Sequence, residues 1–265
     1  MTTTDYSIII PAYNESVRII PTLDRVLAYI QQRGWEAEIV VVNDGSRDDT
    51  AEIVRDYASG SASVRLVENP GNRGKGYSVR NGILHAKGAV VLFTDADLSS
   101  PIEEAAKLVD SIHRGSDVAI GSRWLRADLQ TTRQPLYRQI LGRAFNLALK
   151  VVLGLSFKDT QCGFKAFKQQ AARDIFGRQI IRRWGFDPEI LFLARQLGYK
   201  TEEIAVAWAH DERSKINPIT DGMNMLLDLF RIRWNSISGK YDCSPQTAQE
   251  LSPTAEEVPV GHPRA

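Results

Sequence analysis

Residues 89–97 read AVVLFTDAD, and the fold class turns on them. An uninterrupted, β-branched-rich apolar run of this length reads as a strand buried on both faces, the kind found in parallel sheets. It ends abruptly in Asp95 and Asp97. In a continuing strand these two would share a face, but at its end both carboxylates can converge on one cation bridging two phosphates, as hard oxygen ligands of Mg²⁺ or Mn²⁺ do. A DxD alone is common; one at the end of an apolar strand, just ahead of a Pro101-started helix, is more specific.

The same pattern repeats outward from this stretch. YSIIIPA (6–12), EIVVVNDGS (38–46), VRLVEN (64–69) and DVAIGSR (117–123) read as further strands. Between them lie helical patterns at 16–34, with Ile19, Leu23, Val26, Leu27 and Ile30 in register, at 47–59 with Asp48 or Asp49 as the cap, and at 75–87 and 102–115. Such alternation predicts an α/β fold with a mostly parallel central sheet and helices on both faces, its ligands at the carboxyl ends of the strands. The later chain adds helices at 136–156, 187–198 and 223–237 and a strand at 200–208. The helix at 136–156 has an apolar stripe through Leu136, Ile140, Ala144, Leu147 and Val151, broken by Arg138, Arg143 and Lys150.

Composition excludes several classes. Cys162 and Cys243 stand far apart with no CxxC partner, which argues against a disulfide framework or a zinc knuckle and fits a reducing cytoplasm. MTTTDYSIIIPAYNE lacks a basic segment followed by an apolar one, so no secretory signal is expected, and no apolar run approaches the roughly 18–20 residues that span a bilayer. Net charge is +1, and no nucleic-acid partner is expected. Between Gly121 and Arg183, however, about thirteen Lys or Arg stand against about three acids, an excess suited to an anionic partner.

Further polar clusters also fall at strand ends. Pro11 of PAYNE (11–15) fixes the backbone direction after the first strand, and Asp44 of NDGS (43–46) is a carboxylate in a glycine turn that can accept from a base or ribose. NPGNRGKG (69–76) sets Arg73 and Lys75 among three glycines before a helix, a cradle for phosphate. It matches neither GxxxxGK[ST] nor a GxGxxG after the first strand, so NTPase and dinucleotide-binding readings fail. Together the clusters describe a nucleoside-diphosphate pocket.

The ordered set IIIPAYNE, VVVNDGSRDDT, NRGKGYSVRNGI, FTDADLS, AIGSR, DTQCGFKAF, RRWGFDPEIL and ERSKI resembles the family 2 glycosyltransferases of GT-A fold, and within them the polyprenyl-phosphate sugar synthases. The resemblance runs from about Tyr6 to Tyr241. It implies one GT-A domain over 1–241, with a nucleotide-sugar half to about 123 and an acceptor half over 124–241. Residues 242–265, rich in Pro, Ala, Thr and Glu, are expected to form a disordered tail. Related mannosyl enzymes often carry Gln and Arg where this chain has Ser99 and Ala209, so the chain leans to the glucosyl branch. The implied activity moves glucose from UDP-glucose to a polyprenyl (dolichyl-type) phosphate; GDP-mannose, another UDP-sugar or a non-lipid acceptor are the alternatives.

The resemblance also implies residue roles. Pro11, Tyr13, Glu15 and Asp44 would hold uracil and ribose, with Lys75 near the nucleotide. Asp95 and Asp97 would face sugar and metal, Mg²⁺ or Mn²⁺, with Asp97 the more direct ligand. Arg123 and Arg138 would meet the acceptor phosphate, helped by Lys215, and Gln161 would line the junction of donor and acceptor. A phosphate acceptor is already anionic, so one inverting displacement without a general base is expected, with Asp97, Arg123 and Arg138 as its catalytic groups.

Two segments stay open in the sequence. The helix with Met223, Leu226, Leu227, Phe230, Trp234 and Ile237 on one side is by ordinary precedent core, yet Arg231 and Arg233 beside it suit a membrane surface; a peripheral protein on the cytoplasmic membrane face is expected. DTQCGFKAF (159–167) reads as a turn at the acceptor mouth. In it Phe164 and Phe167 pack inward, Cys162 fills a buried space, Asp159 fixes the turn, Gly163 allows a close approach, and Lys165 meets phosphate or solvent.

Overall fold

The computed structural model of the protein describes residues 4–125, 145–209 and 220–242. Arg138, Lys215, His210 and Cys243, residues 136–144 of the 136–156 stretch, and the expected tail beyond Asp242 lie outside the described residues.

Among the described residues the strands are β1 (Tyr6–Ala12), β2 (Ala37–Asn43), β3 (Val64–Glu68), β4 (Val90–Phe93), β5 (Val118–Ser122), β6 (Lys165–Lys168) and β7 (Thr201–Ala205). They form one sheet in the order β3-β2-β1-β4-β6-β5-β7. All run parallel except β6, which is inserted antiparallel between β4 and β5. The expected turn at 159–167 therefore ends in a strand. Chain order reverses between β1 and its two neighbours, β2 and β4, and a crevice opens at such a point beyond the strands' carboxyl ends.

The helices are α1 (Ile19–Arg33), α2 (Thr50–Ser59), α3 (Lys75–Leu84), α4 (Ala105–His113), α5 (Gln169–Arg178), α6 (Phe186–Gln196) and α7 (Thr220–Ile237). Successive strand residues point to opposite faces and so build two cores. Ile8, Ile10, Ile39, Val41 and Leu92 pack with α1, α2 and α4. Ile9, Val40, Val42, Val91 and Phe93 pack with α3, α5, α6 and α7. Helix α1 begins three residues later than its pattern suggests, which leaves Pro21 in the first turn where its missing N–H costs nothing. Of the two caps expected for α2, Asp49 makes no side-chain bond to the helix, while Asp48 accepts from the Thr50 amide at its start and also from the Ser16 amide in the loop after β1.

Two apolar stripes come out differently from an ordinary core. Leu147 and Val151 of the 136–156 pattern are exposed, while Leu149 and Leu153 are buried. The segment Leu149–Leu153 is π-helical, and its wider turn shifts the inward face away from the 3.6-residue period. On α7, Leu229 and Ile232 are buried and Leu226 partly so, but Met223, Leu227, Phe230, Trp234 and Ile237 face outward, Phe230 at 63% and Trp234 at 65% exposure. Leaving a large apolar side chain in water forgoes roughly 1.5–3 kcal/mol each, so a row of them marks a surface with a use.

A strap at 179–185 joins this helical side to the sheet crevice. Glu189 of α6, fully buried, accepts from the amides of Ile180 (3.0 Å) and Ile181 (2.8 Å) and from the Tyr241 hydroxyl (2.7 Å). The strap in turn braces the first turn of α3. The Arg182 carbonyl accepts from the Tyr77 amide at 2.9 Å, and Gln179 Nε2 donates to the Gly76 carbonyl at 2.9 Å. Burial pushes the Glu189 carboxyl up to about 7, against the opposing pull of Tyr241 and the two amides. A raised acid binds its proton more tightly folded than unfolded, so its contribution to stability falls as pH rises from 4.5 through about 7. Glu189→Gln is expected to remove this component. In thermal melts the variant should gain on the wild type across that window, and parallel pH profiles would contradict the assignment.

Candidate active site

The DxD acids sit at the mouth of the crevice. After β4 the Asp95 carbonyl accepts from the Leu98 amide at 3.1 Å, and Asp97 Oδ1 accepts from the Ser99 amide at 2.9 Å. Leu98 is held at φ 47° and Asn14, in the PAYNE turn after β1, at φ 54°. Among the described residues these are the non-glycine residues in left-handed backbone, and both lie in turns that border the crevice. Strain of that kind is kept where surrounding contacts impose it, commonly at functional sites. Burial, and then the adjacent Asp95 charge, push the Asp97 carboxyl above its usual value. A hard carboxylate whose protonation is favoured by burial and by a second acid beside it belongs to a donor set that a divalent cation would relieve.

Lys75, the first residue of α3, reaches Asp95 with Nζ 2.5 Å from Oδ1 and lies 5.4 Å from the centre of the Trp184 ring. Burial alone would lower its pKa; Asp95 and then Asp187 outweigh it and hold the ammonium above its ordinary value. The 162–163 turn closes over the other side of Asp95. A Cβ on Gly163 would come within 2.2 Å of Asp95 Oδ2, so glycine is required for this approach, as the sequence suggested.

Asp44 shapes the neighbouring loop. Its carboxylate accepts from Asn69 Nδ2 (2.9 Å) and from the amides of Arg73 (2.8 Å) and Gly74 (2.8 Å). Gly45 lets the Gly71 backbone lie directly on the turn, since a Cβ there would be 2.5 Å from the Gly71 carbonyl carbon. Three of roughly four acceptor positions on Asp44 thus hold the cradle in shape. Pro11 pairs in register with Val42, Tyr13 is half-buried, and buried Glu15 pairs with Arg18, with Nη2 2.9 Å from Oε1.

At the end of β5, Arg123 forms a bidentate pair with buried Asp159, Nε to Oδ2 at 2.7 Å and Nη2 to Oδ1 at 2.9 Å, and its guanidinium lies 5.3 Å from the centre of the Trp208 ring. Burial opposes the charge, but Asp159 more than compensates, so the guanidinium is held charged. Asp159 also accepts from the Gln161 amide at 3.2 Å, fixing the turn as expected. Beside it Ser122 Oγ, Thr160 Oγ1 and Gln161 Nε2 are buried without a hydrogen-bond partner. Three orphaned polar atoms in one corner of a crevice suit a polar ligand.

DTQCGFKAF divides between both cores. Cys162 and Phe164 join one and Phe167 the other, while burial, and then Asp159, push the Cys162 thiol up to about 11. Lys165 does not meet solvent. It is fully buried, and Nζ donates to Asp187 Oδ1 at 2.5 Å and to the Cys162 carbonyl at 2.5 Å. Sequence reasoning set Asp187, with Trp184 and Phe186, at the sugar or lipid site and passed over Glu189; the signal was a second acid just ahead of the apolar run ILFLA.

Acids at strand ends, a lysine at a helix start and a tied glycine loop thus meet at one crevice of an α/β fold. The chain belongs to glycosyl transferase family 2, whose family pattern matches residues 7–176. It is 40% identical over 235 residues to the dolichyl-phosphate beta-glucosyltransferase ALG5C of Trichomonas vaginalis, covering 84% of this chain and 69% of that one. It is 36% identical over 246 residues to the dolichyl-phosphate beta-glucosyltransferase of Dictyostelium discoideum, covering 88% and 75%. In fold it is similar to crystal structures of glucosyl-3-phosphoglycerate synthase from Mycobacterium tuberculosis (TM-score 0.64, 19% identity, 87% of this chain and 80% of that one). Other structures of that enzyme contain Mg²⁺ with uridine diphosphate, or Mn²⁺ with UDP-glucose. The fold is thus GT-A, as the sequence implied.

Proposed function

We propose that the protein transfers glucose from UDP-glucose to a polyprenyl phosphate of the dolichyl type, giving the β-linked lipid phosphate sugar. The observation that carries this reading is how the acids round the crevice are engaged: Asp95 by Lys75, Asp159 by Arg123, Asp187 by Lys165, and Asp44 by loop amides. A hydroxyl acceptor would need a carboxylate to take its proton, whereas a phosphate arrives as an anionic nucleophile. Relatives named as dolichyl-phosphate glucosyltransferases point the same way.

In the proposed displacement a phosphate oxygen of the acceptor bonds to glucose C1, and the bond from C1 to the UDP oxygen breaks with its electrons going to UDP. Attack from the opposite face inverts the α-linked donor to a β-linked product. Residues up to about 123 hold the donor: Pro11, Tyr13, Glu15 and Asp44 at the base and ribose side, and Lys75 at the diphosphate. Asp97 and Asp95 are the residues that would hold Mg²⁺ or Mn²⁺; when bound, the cation neutralises charge on the departing diphosphate. Arg123, with Arg138 and Lys215, serves the acceptor phosphate, and Gln161, its Nε2 unpartnered, lies between the two substrates.

Incubation of the protein with Mn²⁺, a short-chain polyprenyl phosphate and either UDP-glucose or GDP-mannose tests this directly. Mass spectrometry is expected to show a hexosyl lipid phosphate from UDP-glucose alone, with a β linkage by NMR. Asp97→Ala should lower turnover by at least about 100-fold. Product from GDP-mannose alone, or an α linkage, would contradict the reading.

The outward face of α7 is proposed to rest on the membrane that carries the acceptor, on its cytoplasmic side. No helix among the described residues is long and apolar enough to cross a membrane. The groove beside α7, about 1060 Å³, is lined by Phe230 and Trp234 together with Arg182, Arg183 and Arg231, an apolar and cationic mixture that fits an anionic lipid surface. Phe230→Ser with Trp234→Ser should cut flotation on anionic vesicles several-fold while leaving the melting temperature nearly unchanged, since both side chains already face water. Undiminished flotation would place the membrane contact elsewhere.

A further inference from the structure

A lysine with no exposed surface is an unusual thing to keep in the middle of a sheet. Lys165 opens β6 opposite Phe93, the last residue of β4, and its Nζ lies 5.5 Å from the centre of the Phe93 ring. Its other contacts run in two directions. Toward one side it holds the Cys162 carbonyl, the peptide that leads into Gly163, where the turn lies against the Asp95 carboxylate. Toward the other it holds Asp187 in the first turn of α6, three residues after Trp184, whose ring faces Lys75.

Lys165 is thus a single fixed point behind two of the walls that enclose Asp95. Fold stability alone gives little reason to keep it. Replacing a buried ion pair by apolar groups of similar volume is often neutral or stabilising, whereas removing one partner is strongly destabilising because a bare charge is left behind. Charge adds a second consideration. Asp95 engages Lys75 in the structure, and a divalent cation taken up by Asp95 and Asp97 would compete with that contact. Lys75 would then keep its contact with the Trp184 ring, three residues before Asp187.

We propose that the buried Lys165–Asp187 pair is a positioning clamp for the acids of the donor site. It presses the 162–163 turn against Asp95 and ties that turn to the start of α6, next to the Trp184 ring that Lys75 faces. The clamp rests on the reading of Asp95 and Asp97 as the residues that hold Mg²⁺ or Mn²⁺ with a uridine diphosphate.

Binding, measured apart from turnover, tests it. UDP is titrated calorimetrically into wild type, Asp97→Ala, Lys165→Arg and the double variant Lys165→Met with Asp187→Asn, once with Mn²⁺ and once with EDTA. The double variant removes both charges together and is expected to melt near the wild type. Its Mn²⁺-dependent gain in UDP affinity should fall about tenfold or more, equal to about 1.4 kcal/mol, while affinity in EDTA stays within about twofold. Lys165→Arg, which keeps the cation, should hold the gain within about threefold. A double variant that folds and retains the full gain overturns the clamp, and so does failure of both Lys165 variants to fold, which would make the pair structural alone. Wild type with no Mn²⁺-dependent gain would instead remove the metal reading on which the clamp rests, and the clamp with it.

Discussion

The Asp95 carboxylate is the point to which the rest of the molecule is fitted. It stands at the end of a strand buried on both faces, with Lys75 Nζ 2.5 Å away and the Gly163 backbone against its other oxygen. Each of these neighbours arrives from a different element. Lys75 is brought by the start of α3, Gly163 by the turn before the antiparallel strand β6, and Trp184, over Lys75, by the strap before α6. An acid so placed needs a cation on one side, and on the other it leaves no room at position 163 for a side chain larger than hydrogen. Those two requirements account for the lysine and the glycine.

The charges around the crevice follow one rule. Buried acids are matched singly, Asp159 with Arg123 and Asp187 with Lys165, and Asp44 is spent on the amides of the loop it holds. Such pairs contribute little net stability, because desolvation offsets much of the attraction, but they leave the site with fixed charges in fixed places. For a reaction between two phosphate-bearing partners, fixed cations are the useful asset, and preorganised charge is the main source of rate enhancement in such sites. The same economy explains why an acceptor that arrives already ionised suits this crevice.

Much of this was legible in the sequence. Continuous apolar runs ending in acids gave the strands, their parallel arrangement and the positions of Asp44, Asp95 and Asp97, because burial on both faces and ligation at strand ends are written locally. What was not legible depends on contacts distant in sequence. Strand β6 spells KAFK, short and half charged, and only the Asp187 carboxylate, 22 residues on, allows its lysine to be buried. The stripe through Leu147 and Val151 misled because a π-helical turn changes the period on which such stripes are read. Helix α7 has apolar residues on both sides, so its pattern alone does not tell which side packs; Leu229 and Ile232 do, and the side bearing Phe230 and Trp234 is left for another surface.

The central claim is that Asp95 and Asp97 gather a divalent cation and a uridine diphosphate at the end of β4. The most direct measurement is a crystal structure with UDP and Mn²⁺, using the anomalous signal of manganese to place the ion. The account predicts an anomalous peak at the Asp95 and Asp97 carboxylates, with the diphosphate beside it and within reach of Lys75. A peak elsewhere, or UDP bound away from the crevice, would contradict it.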